Sequence, residues 1–411
     1  MQLLNRIKKH PKAGMLLLAY AAFIALGIPD GLLGVAWPSI RISFSLPLDA
    51  LAMFFPATVS GYMISSFSSG PLVSRWGIGR ILAASCAITG VALVGYTIVP
   101  SWWMMVALGV LSGLGAGAID AGLNSYVAAH FNERLMQWLH AFYGIGVTLG
   151  PVIMTVALAW MNSWRAGYRT VGGFQFFMAV AFVLTLSMWN HKTSNSSDKE
   201  PKRLTDYKTS MFETLREPAA WLSALLFFVY VGAEVSYGTW TYSLLVESRG
   251  IDPEMAGAVA GSYWATFTIG RALAGLYAHK AGIIRTVFGS LAAALVGTVL
   301  LIWNPAPVFN LVAVALVGLA IAPVFAALMS ATVYRVGAKH ASNTIGIQMA
   351  ASGLGTAVIP GTLGVLATRF SLEVIPVSLA LILLILYGLF RLSLVGKKMQ
   401  ADPGEIHSPV N

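Results

Sequence analysis

Twelve apolar stretches, most of about 20 residues, leave this chain few ways to fold. They fall at about 14–37, 50–72, 81–99, 103–128, 137–160, 172–190, 218–243, 255–280, 284–303, 307–334, 343–368 and 372–395. A helix needs roughly 20 apolar residues to cross the hydrocarbon of a bilayer. Barrel strands instead alternate apolar and polar over about ten positions, so continuous runs of this length exclude them. Hydrophobic residues make up 57% of the 411 and charged residues 10%, where soluble domains are about a quarter charged. The sequence predicts an all-α membrane protein of twelve transmembrane helices.

The basic start (Arg6, Lys8, Lys9, Lys12) precedes an apolar stretch that is long and has no clean small-residue cleavage site, so it reads as a first span rather than a secretory signal. The single cysteine, Cys86, lies inside the third run, which rules out a disulfide framework and a thiolate metal site. The net charge of +10 is distributed as membrane topology requires, not as a nucleic-acid surface. With the N-terminus inside, twenty of the 26 Lys and Arg residues fall in inner segments, including Arg75 and Arg80. Five fall in outer loops, namely Arg41, Arg165, Arg169, Arg249 and Arg369. That asymmetry predicts both termini in the cytoplasm of a cell membrane, a bacterial inner membrane being the expectation.

One long polar stretch, 191–217, separates runs six and seven and reads as a solvated linker with a surface helix near Tyr207–Leu215. It divides the chain into a bundle at 1–190 and a second at 218–411 that ends in a short tail. The halves repeat. Gly70-Pro-Leu-Val-Ser-Arg-Trp-Gly77 returns as Gly275-Leu-Tyr-Ala-His-Lys-Ala-Gly282, at an offset of 205. Gly146 and Pro151 return as Gly355 and Pro360, and Asp30, Gly34 and Trp37 as Glu234, Gly238 and Trp240. Duplication into two pseudo-symmetric six-helix bundles follows, with a site expected between them as in secondary transporters.

Three of the sixteen acidic residues, Asp30, Asp120 and Glu234, lie well inside apolar runs. A charge at mid-membrane costs about 2.5–3.5 kcal/mol on insertion scales, so such residues point to function. On span four, Gly113, Gly117, Asp120 and Asn124 share one helical stripe whose small residues admit a neighbouring helix. The position equivalent to Asp120 in the second half is Phe325. Asp120 reads as a proton-coupling carboxylate or as a protonated structural group. Asp30 lies beside Pro29 and two glycines, which predict a break or kink there, and it reads as a proton or substrate site or as a cap on the broken helix. Tyr230, Tyr237 and Trp240 accompany Glu234, offering flat apolar faces with polar edges to a sugar ring or organic cation, or plain packing. Arg271, with Trp264 and Phe267 on its face, reads as a gating or structural ion-pair partner. His140 and Tyr143 open span five, where His140 could titrate near neutrality. Asn124 and Gln348 read as solute contacts, and Gln175 as a hydrogen-bonder between helices. No Walker loop, metal-ligand cluster or Ser–His–Asp elbow can be assembled, so an ATP-driven pump, a metal site, a cofactor and an enzyme are not expected.

Twelve spans in two halves, the polar linker and Gly70-x-Leu72-x-x-Arg75-x-Gly77-x-x-Arg80 resemble the major facilitator superfamily over essentially the whole chain. Ser74 stands where that family commonly has Asp. Gly146-Val-Thr-Leu-Gly150-Pro151 resembles its span-five bend. Within it, Tyr230-Val-Gly-Ala-Glu234-Val-Ser-Tyr-Gly238, Trp264 through Arg271 and Ile119-Asp120-Ala-Gly-Leu-Asn124 are similar to the fucose/galactose/glucose–proton symporter group. That resemblance implies proton and sugar coupling at Asp30 and Asp120. His140 and Tyr143 stand where the group offers Gln and Asn to sugar hydroxyls.

The expectation is a monomeric, proton-coupled carrier of a sugar or similar polar solute. Coupling falls to Asp30, Asp120 and Glu234. Solute contacts fall to Asn124, His140, Tyr143, Tyr230, Tyr237, Trp240, Trp264 and Gln348, and gating to Arg75, Arg80 and Arg271. The rivals are a proton-driven efflux antiporter and a non-transporting receptor or scaffold.

Overall fold

The computed structural model describes residues 11–130, 133–189 and 209–394; Arg6, Lys8, Lys9, most of the linker and the tail after Leu394 lie outside the described residues. Helices α1 (Pro11–Ser43), α2 (Phe54–Trp76), α3 (Ile78–Tyr96), α4 (Trp102–His130), α5 (Glu133–Met161) and α6 (Trp164–Leu184) form the first half. Helices α7 (Pro218–Ser243), α8 (Pro253–Ala281), α9 (Ile283–Trp303), α10, α11 (Ala338–Arg369) and α12 (Val374–Ser393) form the second. Span α10 is broken into Val308–Ile321, Val324–Ser330 and Thr332–Val336. Pro323 causes the first break, because it has no N–H for the Leu319 carbonyl. Of the linker's expected surface helix, the described part is one turn, Met211–Thr214, in which the Phe212 N–H donates to the Ser210 side chain as a cap.

Eleven of these segments are long and apolar enough to cross a membrane. The twelfth, α8, has 29 residues and so spans about 43 Å. It is less apolar because it lies between the two halves and carries Arg271 and several small polar residues. Span α6 begins at Trp164, not near 172 as expected. Arg165 and Arg169 therefore sit in its first turns instead of a loop. The Arg165 guanidinium lies 4.5 Å from the Trp164 ring centroid, and Arg169 Nε donates to Thr97 Oγ1 at 3.1 Å.

The halves pack alike. In the first, α1 lies along α5 and α6, α2 along α4, and α3 along α4 and α6; in the second, α7 along α11 and α12, α8 along α10, and α9 along α10 and α12. The glycine register explains the tightest pairs. A Cβ on Gly146 would collide with the backbone of Ile24 on α1, and one on Gly355 with that of Phe228 on α7. Likewise Gly61 and Gly113 press α2 against α4 backbone to backbone, and Gly318 and Gly270 press α10 and α8 together. Gly77 and Gly282, the two ends of the repeated loop motif, adopt φ of +82° and +76°, which only glycine takes without strain. Gly337, between α10 and α11, has the same turn at φ +77°.

Of the break or kink expected at Pro29, the break does not occur: helix α1 is continuous through it. A proline leaves the carbonyl four residues earlier without its helical donor, here Ala25. Gln175 of α6 supplies that donor through Nε2 at 2.7 Å, so the backbone stays satisfied and the helix persists.

The halves meet along α5–α8, α1–α7, and α11 with the 3-10 turn Leu48–Met53 and α2. The end of the molecule carrying the α1–α2 and α7–α8 connections is termed the loop face, and the end carrying the chain termini the terminus face. At the loop face Arg41 pairs with Glu247 across the halves. Gly34 abuts Gly238, Gly257 abuts Thr155, and Gly361 and Gly364 abut Ala52 and Asp49. At mid-depth Gly144 meets Thr268 and Gly353 meets Val59. Toward the terminus face Gly346 of α11 is exposed with nothing within 4 Å.

Candidate functional site

The close α1–α5 and α2–α4 contacts bring two carboxylate–phenol pairs onto one side of the first bundle. Gly27 and Gly31 of α1 seat on Tyr143 and Val147 of α5, which places the Tyr143 hydroxyl 2.6 Å from Asp30 Oδ2, as donor to it. Gly113 and Gly117 seat on Thr58 and Tyr62 of α2, which places the Tyr62 hydroxyl as a donor to Asp120 Oδ2. Asn124, one turn along α4, donates Nδ2 to Asp120 Oδ1 at 2.8 Å. Asp30, Tyr62 and His140 are exposed, and Asp120 and Asn124 half-buried, so the group borders open space although helices surround it. His140 lies edge-on to Phe23 at 5.8 Å and within electrostatic reach of Asp120. Asp30 and Asp120 are within electrostatic reach of one another.

The second bundle faces this group with an acid–base pair. Glu234 Oε1 is 3.9 Å from Arg271 Nη2, an ion pair rather than a hydrogen bond, and the buried Tyr230 phenol lies next to the same carboxylate. Arg271 is held from behind by Phe267, 4.4 Å from its ring centroid, and by Phe325 at 5.9 Å. Phe325 is the repeat counterpart of Asp120, so where one half offers an acid the other offers a ring for the cation. Tyr263 fixes α7 by donating its hydroxyl to the Glu234 carbonyl at 2.8 Å. Trp264 is half-buried and lies over Gly238. The two sides see each other across the seam: Tyr143 is within electrostatic reach of Glu234, and His140 of Arg271.

Asp30, Asp120, Glu234, Asn124, His140, Tyr143, Arg271 and Trp264 thus border one inter-bundle cleft. Four expected solute contacts do not. Tyr230, Tyr237, Trp240 and Gln348 are buried within the second bundle, and each spends its polar group there. Tyr230 Oη donates to the Ile321 carbonyl at 3.1 Å, and Tyr237 Oη pairs with Thr298 Oγ1 at 2.5 Å. Trp240 Nε1 donates to the Pro360 carbonyl at 3.0 Å, and Gln348 Nε2 to Thr332 Oγ1 at 2.9 Å. In this conformation these are helix-to-helix bonds. Trp240 repeats Trp37, equally buried, whose Nε1 donates to the Leu48 carbonyl at 3.2 Å. Arg75 and Arg80 flank Gly77 on the terminus face, exposed and remote from the cleft.

Tyr62 escaped the sequence reading. Its signal was present: the small stripe on α4 requires an equally small partner helix, and Gly61, Ser65 and Ser66 mark α2 as that helix with Tyr62 in the contact. Among the described residues no group of three His, Cys, Asp or Glu could hold a metal ion.

Comparison with known proteins fits this arrangement. The sequence profile of the Major Facilitator Superfamily matches residues 19–360, and again 243–408. The chain belongs to the Major Facilitator Superfamily. The chain is 26% identical over 389 residues to Bypass of stop codon protein 6 of Saccharomyces cerevisiae, covering 86% of this chain and 77% of that protein. It is 22% identical over 357 residues to the glucose/mannose transporter GlcP of Bacillus subtilis, covering 85% and 87%. It is also 22% identical over 391 residues to the sodium-dependent glucose transporter 1 of Homo sapiens, covering 85% and 73%. Among solved structures, an inward-facing, unoccupied bacterial homologue of the human lysosomal transporter Spinster superposes with a TM-score of 0.75 at 16% identity, covering 94% of this chain and 97% of that one. This superfamily member is a multi-pass membrane protein.

Proposed function

We propose that the protein is a secondary transporter that moves a sugar or similar small polar solute together with protons by alternating access. The observation that carries this reading is the gathering of ionisable groups from both bundles at one cleft: two phenol-bonded carboxylates on one bundle, and the Glu234–Arg271 pair on the other. Ionisable groups at mid-membrane are costly, and a water-reached cleft between two pivoting bundles is where they serve a proton or a solute. Two relatives named above are glucose transporters, which supports a sugar as the solute. Sugar hydroxyls both donate and accept, which suits Asp30, Asn124, His140 and Tyr143, while a ring face suits Trp264. The coupling acids are Asp30, Asp120 and Glu234, with Asp120 taking the transported proton. Arg271 gates by pairing with Glu234, and Arg75 and Arg80 gate at the terminus face.

In the cycle, Asp120 is protonated from the outer side, solute binds between the bundles, and opening toward the terminus face releases both. The proposal includes the division at 1–190, 191–217 and 218–411, cytoplasmic termini, a bacterial inner membrane and a monomeric carrier.

A second reading, sodium coupling, is favoured by the human relative, a sodium-dependent glucose transporter. Reconstituted vesicles separate the two. Glucose accumulation under an imposed pH gradient with sodium absent supports proton coupling; accumulation only under a sodium gradient replaces it. Asp120→Asn is expected to abolish proton-driven accumulation and to spare counterflow exchange. Accumulation that survives this change sinks the coupling role.

A further inference from the structure

We infer that Tyr62 is the positioning residue of Asp120, its phenol O–H orienting the carboxylate and opposing its protonation, and so tuning the pH at which the carrier lets its proton go. The inference rests on the reading of Asp120 as the coupling acid, and it goes beyond that reading by assigning control of the acid to a different helix.

Three features of the geometry carry it. First, Tyr62 donates directly to Asp120 Oδ2 while Asn124 takes the other oxygen, so the carboxylate has a dedicated donor on each oxygen. Donors of this kind favour the charged form of a carboxylate. Second, α2 is fixed against α4 at this level: a Cβ on Gly117 would strike Tyr62, Ser65 and Ser66, and Ser66 Oγ donates to the Gly117 carbonyl at 3.3 Å. The phenol therefore has a set approach to the acid. Third, Tyr62 is 37% exposed and Asp120 half-buried, so the bonded pair borders open space rather than lying sealed in the bundle. Its neighbours Val59 and Met63 touch Gly353 of α11, which puts this part of α2 on the seam between the bundles.

Other titratable groups face Asp120 from the helices around it. Asp30 comes from α1, His140 and Tyr143 from α5 and, through His140, Arg271 from α8. Helix α3 meets α4 here through Ser85 and Thr89, which do not titrate. Of the described titratable groups, Tyr62 is the one that hydrogen-bonds the acid.

The test needs no solute. Full-length protein in lipid nanodiscs is titrated while the infrared C=O band of protonated carboxyl is followed; the part of that band missing in Asp120→Asn belongs to Asp120. In Tyr62→Phe that part is expected to persist to higher pH, its midpoint displaced upward by about one pH unit, as loss of one hydrogen bond to a charged group implies. Tyr62→Leu, which also lacks the hydroxyl, must move it the same way. Tyr143→Phe, which removes the donor to Asp30, must move it less. A wild-type midpoint in both Tyr62 variants overturns the inference even if their melting temperatures fall, because a purely structural role lowers stability without moving the titration. A band that Asp120→Asn leaves intact instead refutes the coupling role of Asp120, and this inference with it. Failure of glucose uptake alone touches only the choice of solute.

Discussion

Replacing Gly146 by alanine should weaken the first bundle at one point that can be located on the structure. The added Cβ would lie 3.0 Å from both the carbonyl carbon and the Cα of Ile24, and closer still to its oxygen, where ordinary contacts begin at 3.4 Å. Backbone on both sides leaves no rotamer to absorb the overlap, so α1 and α5 must separate by several tenths of an ångström. Overpacking of this kind costs about 1–3 kcal/mol. Gly355→Ala meets Phe228 of α7 in the same way, at 3.0 and 3.1 Å, and should cost a similar amount if the halves are truly equivalent. Gly289 on α9 and Gly388 on α12 have nothing within 4 Å of an added Cβ, so alanine there should gain about 0.5–1 kcal/mol from backbone entropy alone. Heat unfolding of the four purified variants, followed by tryptophan fluorescence, reads the contrast directly. Two melting points below wild type and two at or above it are expected. Four variants that melt alike would refute the packing argument, and unequal losses at Gly146 and Gly355 would refute the structural equivalence of the halves.

Two further outcomes follow from individual bonds. Arg249 donates to Glu373 through Nε at 2.9 Å and Nη2 at 2.7 Å, and this loop-face partner holds the Glu373 carboxyl below its ordinary range. A depressed carboxyl contributes stability that is present above the unfolded value, about 4.3, and lost as pH falls through the folded one. Glu373→Gln should therefore flatten the acid side of the melting-temperature profile below about pH 4 relative to wild type, and an unchanged profile contradicts it. Tyr237→Phe, which deletes the buried bond to Thr298, should lower stability by about 0.5–1.5 kcal/mol while leaving the glucose KM within about twofold; a large KM change would return Tyr237 to the solute.

The repeat was legible in the sequence because glycine is demanded by geometry that few other residues tolerate. Gly77 and Gly282 mark positive-φ turns, and Gly146 and Gly355 mark backbone contacts, so each recurs wherever the same packing recurs. The stripe of Gly113, Gly117 and Asp120 was legible for the same reason, and it correctly announced a close neighbour. Which face of a span meets the cleft was harder to read. Tyr230, Tyr237, Trp240 and Gln348 have the chemistry of solute contacts, yet in an apolar surrounding a polar side chain is equally satisfied by the next helix of its own bundle. Helical spacing places these residues on faces but does not say what lies opposite. The break allowed for at Pro29 is absent for a related reason. A proline's freed carbonyl breaks a helix only if nothing else bonds it, and the donor here, Gln175, lies 150 residues further along the chain.

The meeting of Gly34 with Gly238 has a mechanical meaning. A Cβ on Gly34 would stand 2.5 Å from the Gly238 oxygen and 3.2 Å from the Thr239 Cα, so α1 and α7 touch there through bare main chain. A fulcrum without side chains has no rotamers to unlock and no interdigitated groups to strip apart as the angle changes. Under the alternating access proposed above, α1 and α7 would pivot at this bare contact, and opening the loop face would have to break the Arg41–Glu247 pair beside it.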